Sequence, residues 1–175
     1  MGQDSYSTTL TVRRPGKPVD LQSELHSDIV TGRNELATAI MPGRFLTQGA
    51  AADDVMIDDT GATGGVYIGL AVDIDTRERA TGYDYTSGYP QNALVPVARS
   101  GRWYVECASA AAKGGTVYVR FVAGTSGAVG TAYNTTDAVG GVGANEATCV
   151  AIKAKFAETI SAAGTVAVEL LIAQV

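Results

Sequence analysis

The sequence predicts an all-β protein, a β-sandwich or barrel of jelly-roll-like type with an extended N-terminal arm. Three observations carry that expectation. Several segments alternate apolar and polar residues with the period of two that a half-buried strand requires. Turn formers, including 21 glycines in 175 residues, separate these segments at short intervals. Helix formers such as Leu, Glu, Lys and Arg are thin beside Ala, Val, Thr and Gly, a balance that suits short strands. With 46% hydrophobic residues in 18.0 kDa, the chain has material for a single buried core.

Residues 1–48 differ in character from the rest and are expected to form the arm, with 49–175 as the β-domain. The arm holds Arg13, Arg14, Lys17, Arg33 and Arg44, and three of the five prolines. Leu10 and Val12 suit one strand, which Pro15-Gly16-Lys17-Pro18 ends because proline brings no donor to a ladder. Residues 20–39 have mixed periodicity and are assigned to neither strand nor helix.

From Phe45 onward the pattern is strand, turn, strand. The run Val66-Tyr67-Ile68-Gly69-Leu70-Ala71-Val72 is apolar throughout, as expected of a strand covered on both faces. A polar stretch from Asp73 to Gln91 reads as a long exposed loop whose tyrosines, Tyr83, Tyr85 and Tyr89, are candidates for a contact surface. Trp103, Val105 and Cys107 alternate with Tyr104 and Glu106, which places Trp103 in the core. Val117, Val119 and Phe121 alternate with Tyr118 and Arg120, and the two segments are expected to form a hairpin-like pair. Residues 123–147, rich in Gly, Ala, Thr and Ser, predict a surface excursion. Val150, Ile152, Ala154 and Phe156 then alternate with Cys149, Lys153 and Lys155, and Val166, Val168, Leu170 and Ile172 alternate around Glu169, giving a second antiparallel pair.

A net charge of −5 offers no basic footprint for a phosphate backbone, so nucleic acid is not expected as a partner. The apolar runs are too short and too broken to span a membrane, and the polar N-terminus does not read as a signal peptide. Without secretion, Cys107 and Cys149 are expected as two buried thiols, and the sequon at Asn134 as a polar loop.

Catalytic motifs fail one by one. Asp59-Thr60-Gly61 matches the short signature of aspartic proteases, whose paired carboxylates share a proton in a partly desolvated site. Here Asp58, Asp53 and Asp54 crowd the turn with like charge and no second Asp-Thr-Gly exists, so a solvated acidic turn is the plainer reading. The single histidine, His26, has no ligand or base at useful spacing, and Asp73-Ile74-Asp75 and Asp53-Asp54 lack the frame of a calcium loop. Gly140-Gly141-Val142-Gly143 lacks the third glycine and the preceding strand of a dinucleotide site. No cofactor, no metal and no catalytic residue is assigned.

Longer phrases carry a resemblance. Gly69-Leu70-Ala71-Val72, Gly88 through Val97, Gly101-Arg102-Trp103-Tyr104-Val105, Ala111 through Arg120, Ala154 through Thr159 and Val166 through Leu170 follow one another in the order found in the structural cement family of tailed phages. The chain resembles that family, departing from it at Gly115-Thr116, where an acidic residue usually stands. The resemblance implies a virion protein, assembled in the host cytoplasm, on the outer capsid at junctions between major capsid subunits, commonly a homotrimer, with no catalytic residues. The partners it implies are the major capsid protein and further copies of the chain. On that reading Arg13, Arg14, Arg33 and Arg44 are candidates to meet an acidic capsid surface, beside a simple solvated arm. A tail or head-fibre β-domain, with carbohydrate binding through the tyrosines, is the alternative.

Overall fold

The computed structural model describes residues 13–20, 27–56, 67–73, 88–120, 129–134 and 149–171. Among these the chain has ten strands and no helix: β1 (Ile29–Asn34), β2 (Phe45–Gln48), β3 (Asp54–Met56), β4 (Tyr67–Ala71), β5 (Leu94–Ala98), β6 (Ser100–Cys107), β7 (Thr116–Arg120), β8 (Ala132–Tyr133), β9 (Cys149–Phe156) and β10 (Gly164–Leu171). They close into two five-stranded barrels, ordered β1-β3-β2-β4-β5 and β10-β6-β8-β7-β9. The all-β expectation holds. The expected single β-domain beginning at residue 49 is instead two barrels, and the first is closed by β1 and β2, strands from the segment read as an arm.

The described part of that segment is built into the fold. Residues 15–19 lie against β6: the Gly16 and Val19 amides donate to the Tyr104 and Arg102 carbonyls (2.7 and 2.9 Å), and the Tyr104 amide donates back to Lys17 (2.9 Å). This strap also holds the first barrel, because the Asp73 amide after β4 donates to the Gly16 carbonyl (2.9 Å). Two Pro-Gly turns meet face to face at the seam between the barrels. Gly16 and Gly43 both have φ of +84°, and a Cβ on either would fall 2.6 Å from Pro42 Cβ or 2.3 Å from Pro15 Cβ. Only glycine accommodates both the backbone angle and the approach. Lys17 and the buried Asp73 form an ion pair at 3.1 Å across the same seam.

The apolar run at 67–72 is explained by its two neighbours. Phe45, Leu70, Val72 and Ala98 face the second barrel and join Trp103, Val105, Val117, Val119, Ile152, Phe156, Val166 and Val168 in the larger core. Leu46, Ala71, Val95 and Val97 face the interior of the first barrel, with Ile40, Val55 and Tyr89. One sheet wall is therefore apolar on both sides, as a strand between two cores must be. A bulge opposite Leu46, where Gly69 and Tyr67 pair with consecutive residues Leu46 and Thr47, lets both faces stay apolar despite the broken alternation.

Four other expectations are corrected. β6 and β7 do not form a hairpin: β8 pairs in parallel with β6 at Cys107 and antiparallel with β7 at Tyr118 and Val119, so it stands between them. β8 comes from the stretch read as a surface excursion, yet Ala132 and Tyr133 are buried. Arg120, expected to face outward, is 2% exposed and lies over the Tyr133 ring at 5.3 Å. The β9–β10 pair holds, with Phe156 opposite Val168 and Ala154 opposite Leu170. A register shift between β7 and β9 turns Val150 outward, against its expected phase, and brings Cys149 inward.

Candidate functional site

Sequence reading named seven contact residues, and the structure disperses those it describes. Tyr83 and Tyr85 lie outside the described residues, as do His26 and Asp59. Tyr89 is not on a loop surface: it bridges to Ile40, is 7% exposed, and its hydroxyl donates to the Val72 carbonyl at 2.6 Å. Its aromatic bulk completes the core of the first barrel, and its polar end is satisfied there.

The arginines do not converge. Arg13 is exposed on the second barrel, paired with Glu158 at 3.2 Å and set over the Tyr104 ring at 5.8 Å. Arg14 is half-buried in the strap. Arg33 projects from β1 and makes two contacts to one oxygen of Asp54, at 2.6 and 2.7 Å, which raises the pKa of its guanidinium. Arg44, mostly buried at the seam, reaches Glu106 at 2.8 Å and donates to the Thr131 hydroxyl. Arg13, Arg33 and Arg44 thus hold internal acids. The strands present them at three places rather than one basic patch.

Burial favours the neutral forms of Cys107, Tyr67 and Tyr133. The Cys107 thiol sits 3.2 Å from the Ser109 carbonyl, and burial pushes its pKa up, away from the thiolate a nucleophile needs. Burial also raises the pKa of Tyr67 and Tyr133. Cys107 and Cys149 are both free and buried, as expected. No group of three or more metal-ligating side chains occurs among the described residues.

One concave feature stands out, which sequence reading missed. A groove of about 370 Å³ opens in the wall of the first barrel between the first half of β1 and β4, lined by Val30, Thr31, Gly32, Val55, Tyr67 and Ile68, with Asp53 beside them. Gly32 and Asn34 of β1 are buried inside the barrel, and Val30, in the same phase, is 36% exposed because the wall is open there. No motif marks such a place, since it arises from where β3 begins and not from a residue type. Other exposed apolar side chains are Leu94 (68%), Leu171 (49%) and Val150 (39%), on separate strands.

Comparison with known proteins supplies the context for these surfaces. The family model described as "Structural cement protein (E217 gp24/Pam3 gp6)" matches residues 3–171, across both barrels. The chain belongs to this phage structural cement family. Its role is that of a structural virion protein, a cement of the capsid. Among solved structures, a chain from the capsid of Myoviridae phage XM1 is similar in fold, with TM-score 0.62 and 21% identity over 90% of this chain and 89% of that one. The head fibre gp8.5 N base of bacteriophage phi29 is more distant, with TM-score 0.40 and 15% identity over 85% and 98% of the two chains. No curated protein matches the chain.

Proposed function

We propose that this cement protein binds the outer face of the phage head, at junctions between major capsid protein subunits, as a homotrimer, and clamps the expanded shell. The observation that carries the proposal is the family match from residue 3 to 171, which takes in both barrels and the seam between them. The physical logic is avidity: each copy buries modest area, symmetry repeats the contact, and the repeated clamps oppose pressure from within. A cement must transmit load without yielding, and two barrels sharing one apolar wall and tied by a strap suit that task. The role is structural and non-enzymatic, without nucleic acid or membrane as a partner, in keeping with a net charge of −5. The exposed Arg13 and Arg33, together with Tyr83 and Tyr85, are offered as capsid contacts on their chemistry.

The test is a reconstruction of heads assembled with and without the chain. The expected difference is density for three copies around each junction between capsid subunits, on the outside of the shell. Density inside the shell, or copies confined to one vertex, would overturn the placement and favour a fibre role.

A further inference from the structure

The edge of β1 is covered along one side and only half covered along the other. On the first side it pairs with β5 from Ile29↔Ala98 to Arg33↔Leu94. The Asn34 amide donates to Ala93 (2.9 Å) and the Arg99 amide to the Asp28 carbonyl (2.7 Å), which fixes the phase: even-numbered residues of β1 turn their backbone groups toward β5. Odd-numbered residues therefore turn theirs the other way. Arg33 finds a partner there, its amide donating to Asp53 at 2.8 Å, because β3 begins beside it. β3 pairs with β1 only at Arg33 and Asn34. Ile29 and Thr31, with the same orientation, have no strand beside them among the described residues, and Thr31 lines the groove.

An unpaired edge next to an apolar recess is a template for one more strand. The bare stretch, residues 29–32, is on the order of 13 Å long at about 3.3 Å per residue. Val30 and Ile68 offer apolar contact to a side chain entering the groove. The rim carries charge of both signs: Arg99 lies 3.9 Å from Asp28 and Arg33 holds Asp54, whereas the exposed Asp53 makes no ion pair among the described residues. A basic side chain complements it.

We propose that an extended segment of the major capsid protein adds to β1 as a strand in line with β3. It would bond to the backbone of Ile29 and Thr31, seat an apolar β-branched side chain beside Val30, and place a Lys or Arg against Asp53. The inference rests on the capsid-binding role and names the surface that performs it.

Hydrogen exchange on the whole chain, free and bound to heads that lack it, is the direct test. The amides of Ile29 and Thr31 are expected to exchange quickly in the free protein and at least tenfold more slowly on the capsid. In parallel, Thr31→Pro removes the outward N–H without touching the β5 ladder, and Asp53→Lys reverses the rim charge. Both are expected to weaken co-sedimentation with heads at least tenfold while melting as the parent does. Val30→Asp, read by the same two assays, serves if the proline variant melts low. Capsid binding with unchanged exchange at residues 29 and 31 overturns the docking edge and leaves the cement role standing. Protection that grows with concentration of the free protein assigns the edge to a second copy and overturns the capsid strand. Absence of any binding to heads overturns both the edge and the role.

Discussion

Replacing Gly16 with alanine tests the seam between the barrels, and Gly114 supplies the control. Both glycines have positive φ, +84° and +80°, but a Cβ at Gly114 meets nothing within 4 Å. Gly114→Ala therefore carries only the backbone cost of a left-handed alanine, about 1–2 kcal/mol. That is offset by the roughly 0.4–1 kcal/mol that reduced freedom of the unfolded chain returns. The net loss is about 1 kcal/mol. Gly16→Ala carries the same cost and adds a Cβ placed 2.6 Å from Pro42 Cβ, 3.0 Å from the Gly43 nitrogen and 3.2 Å from the Asp73 nitrogen. These are backbone and ring atoms that cannot rotate aside, so overpacking adds about 1–3 kcal/mol. Relief by moving the strap would weaken the Gly16–Tyr104 and Asp73–Gly16 bonds, each contributing about 0.5–1.5 kcal/mol. The expected total is about 3 kcal/mol, or a fall in Tm of about 6–12 °C for a chain of this size, against about 2–4 °C for Gly114→Ala. Thermal melts by circular dichroism, with urea titrations beside them, measure both. Equal shifts for the two variants would refute the reasoning, since the clash across the seam is all that separates them.

Other outcomes follow from buried polar groups. Tyr89→Phe leaves the Val72 carbonyl without the bond it accepts at 2.6 Å and is expected to cost about 1–3 kcal/mol in urea unfolding. Tyr67→Phe removes a buried hydroxyl that has no hydrogen-bond partner among the described residues, and is expected to be neutral or slightly stabilising; a loss as large as that of Tyr89→Phe would contradict this. Burial raises the folded-state pKa of Cys107, Tyr67 and Tyr133 above ordinary values of 9.0 and 10.0, so their neutral forms contribute stability that is complete below those values and lost as pH rises through the folded pKa. Melting temperature should then decline from about pH 9 upward, less steeply in Tyr67→Phe; a flat profile to pH 11 would count against it. A maleimide should label neither Cys107 nor Cys149 in the native chain within the time that both react in urea, and rapid native labelling would contradict their burial.

What was legible in the sequence was legible through local periodicity. Trp103, Val105 and Cys107 point inward as their spacing requires, and β9 pairs with β10 because both present apolar faces across a short turn. The run at 67–72 signals burial on two faces before either core is known. What failed depended on partners distant in sequence. β8 is a two-residue strand in a Gly-rich stretch, too short to show a period, yet it separates β6 from β7. β1 reads as arm because its outward positions carry Thr31 and Arg33, while its inward positions include Gly32 and the buried Asn34. Tyr89 looks like a loop residue until its partners Ile40 and Val72 are brought beside it. The groove is less visible still, since an open edge is defined by where a neighbouring strand starts.

The most direct measurement of the central claim is the disruption temperature of expanded heads that lack the chain, before and after saturation with the purified protein. A cement raises that temperature, with the gain reaching a plateau at a fixed number of copies per capsid subunit. Saturating attachment that leaves the disruption temperature unchanged would mark the protein as a passenger on the shell and contradict the account.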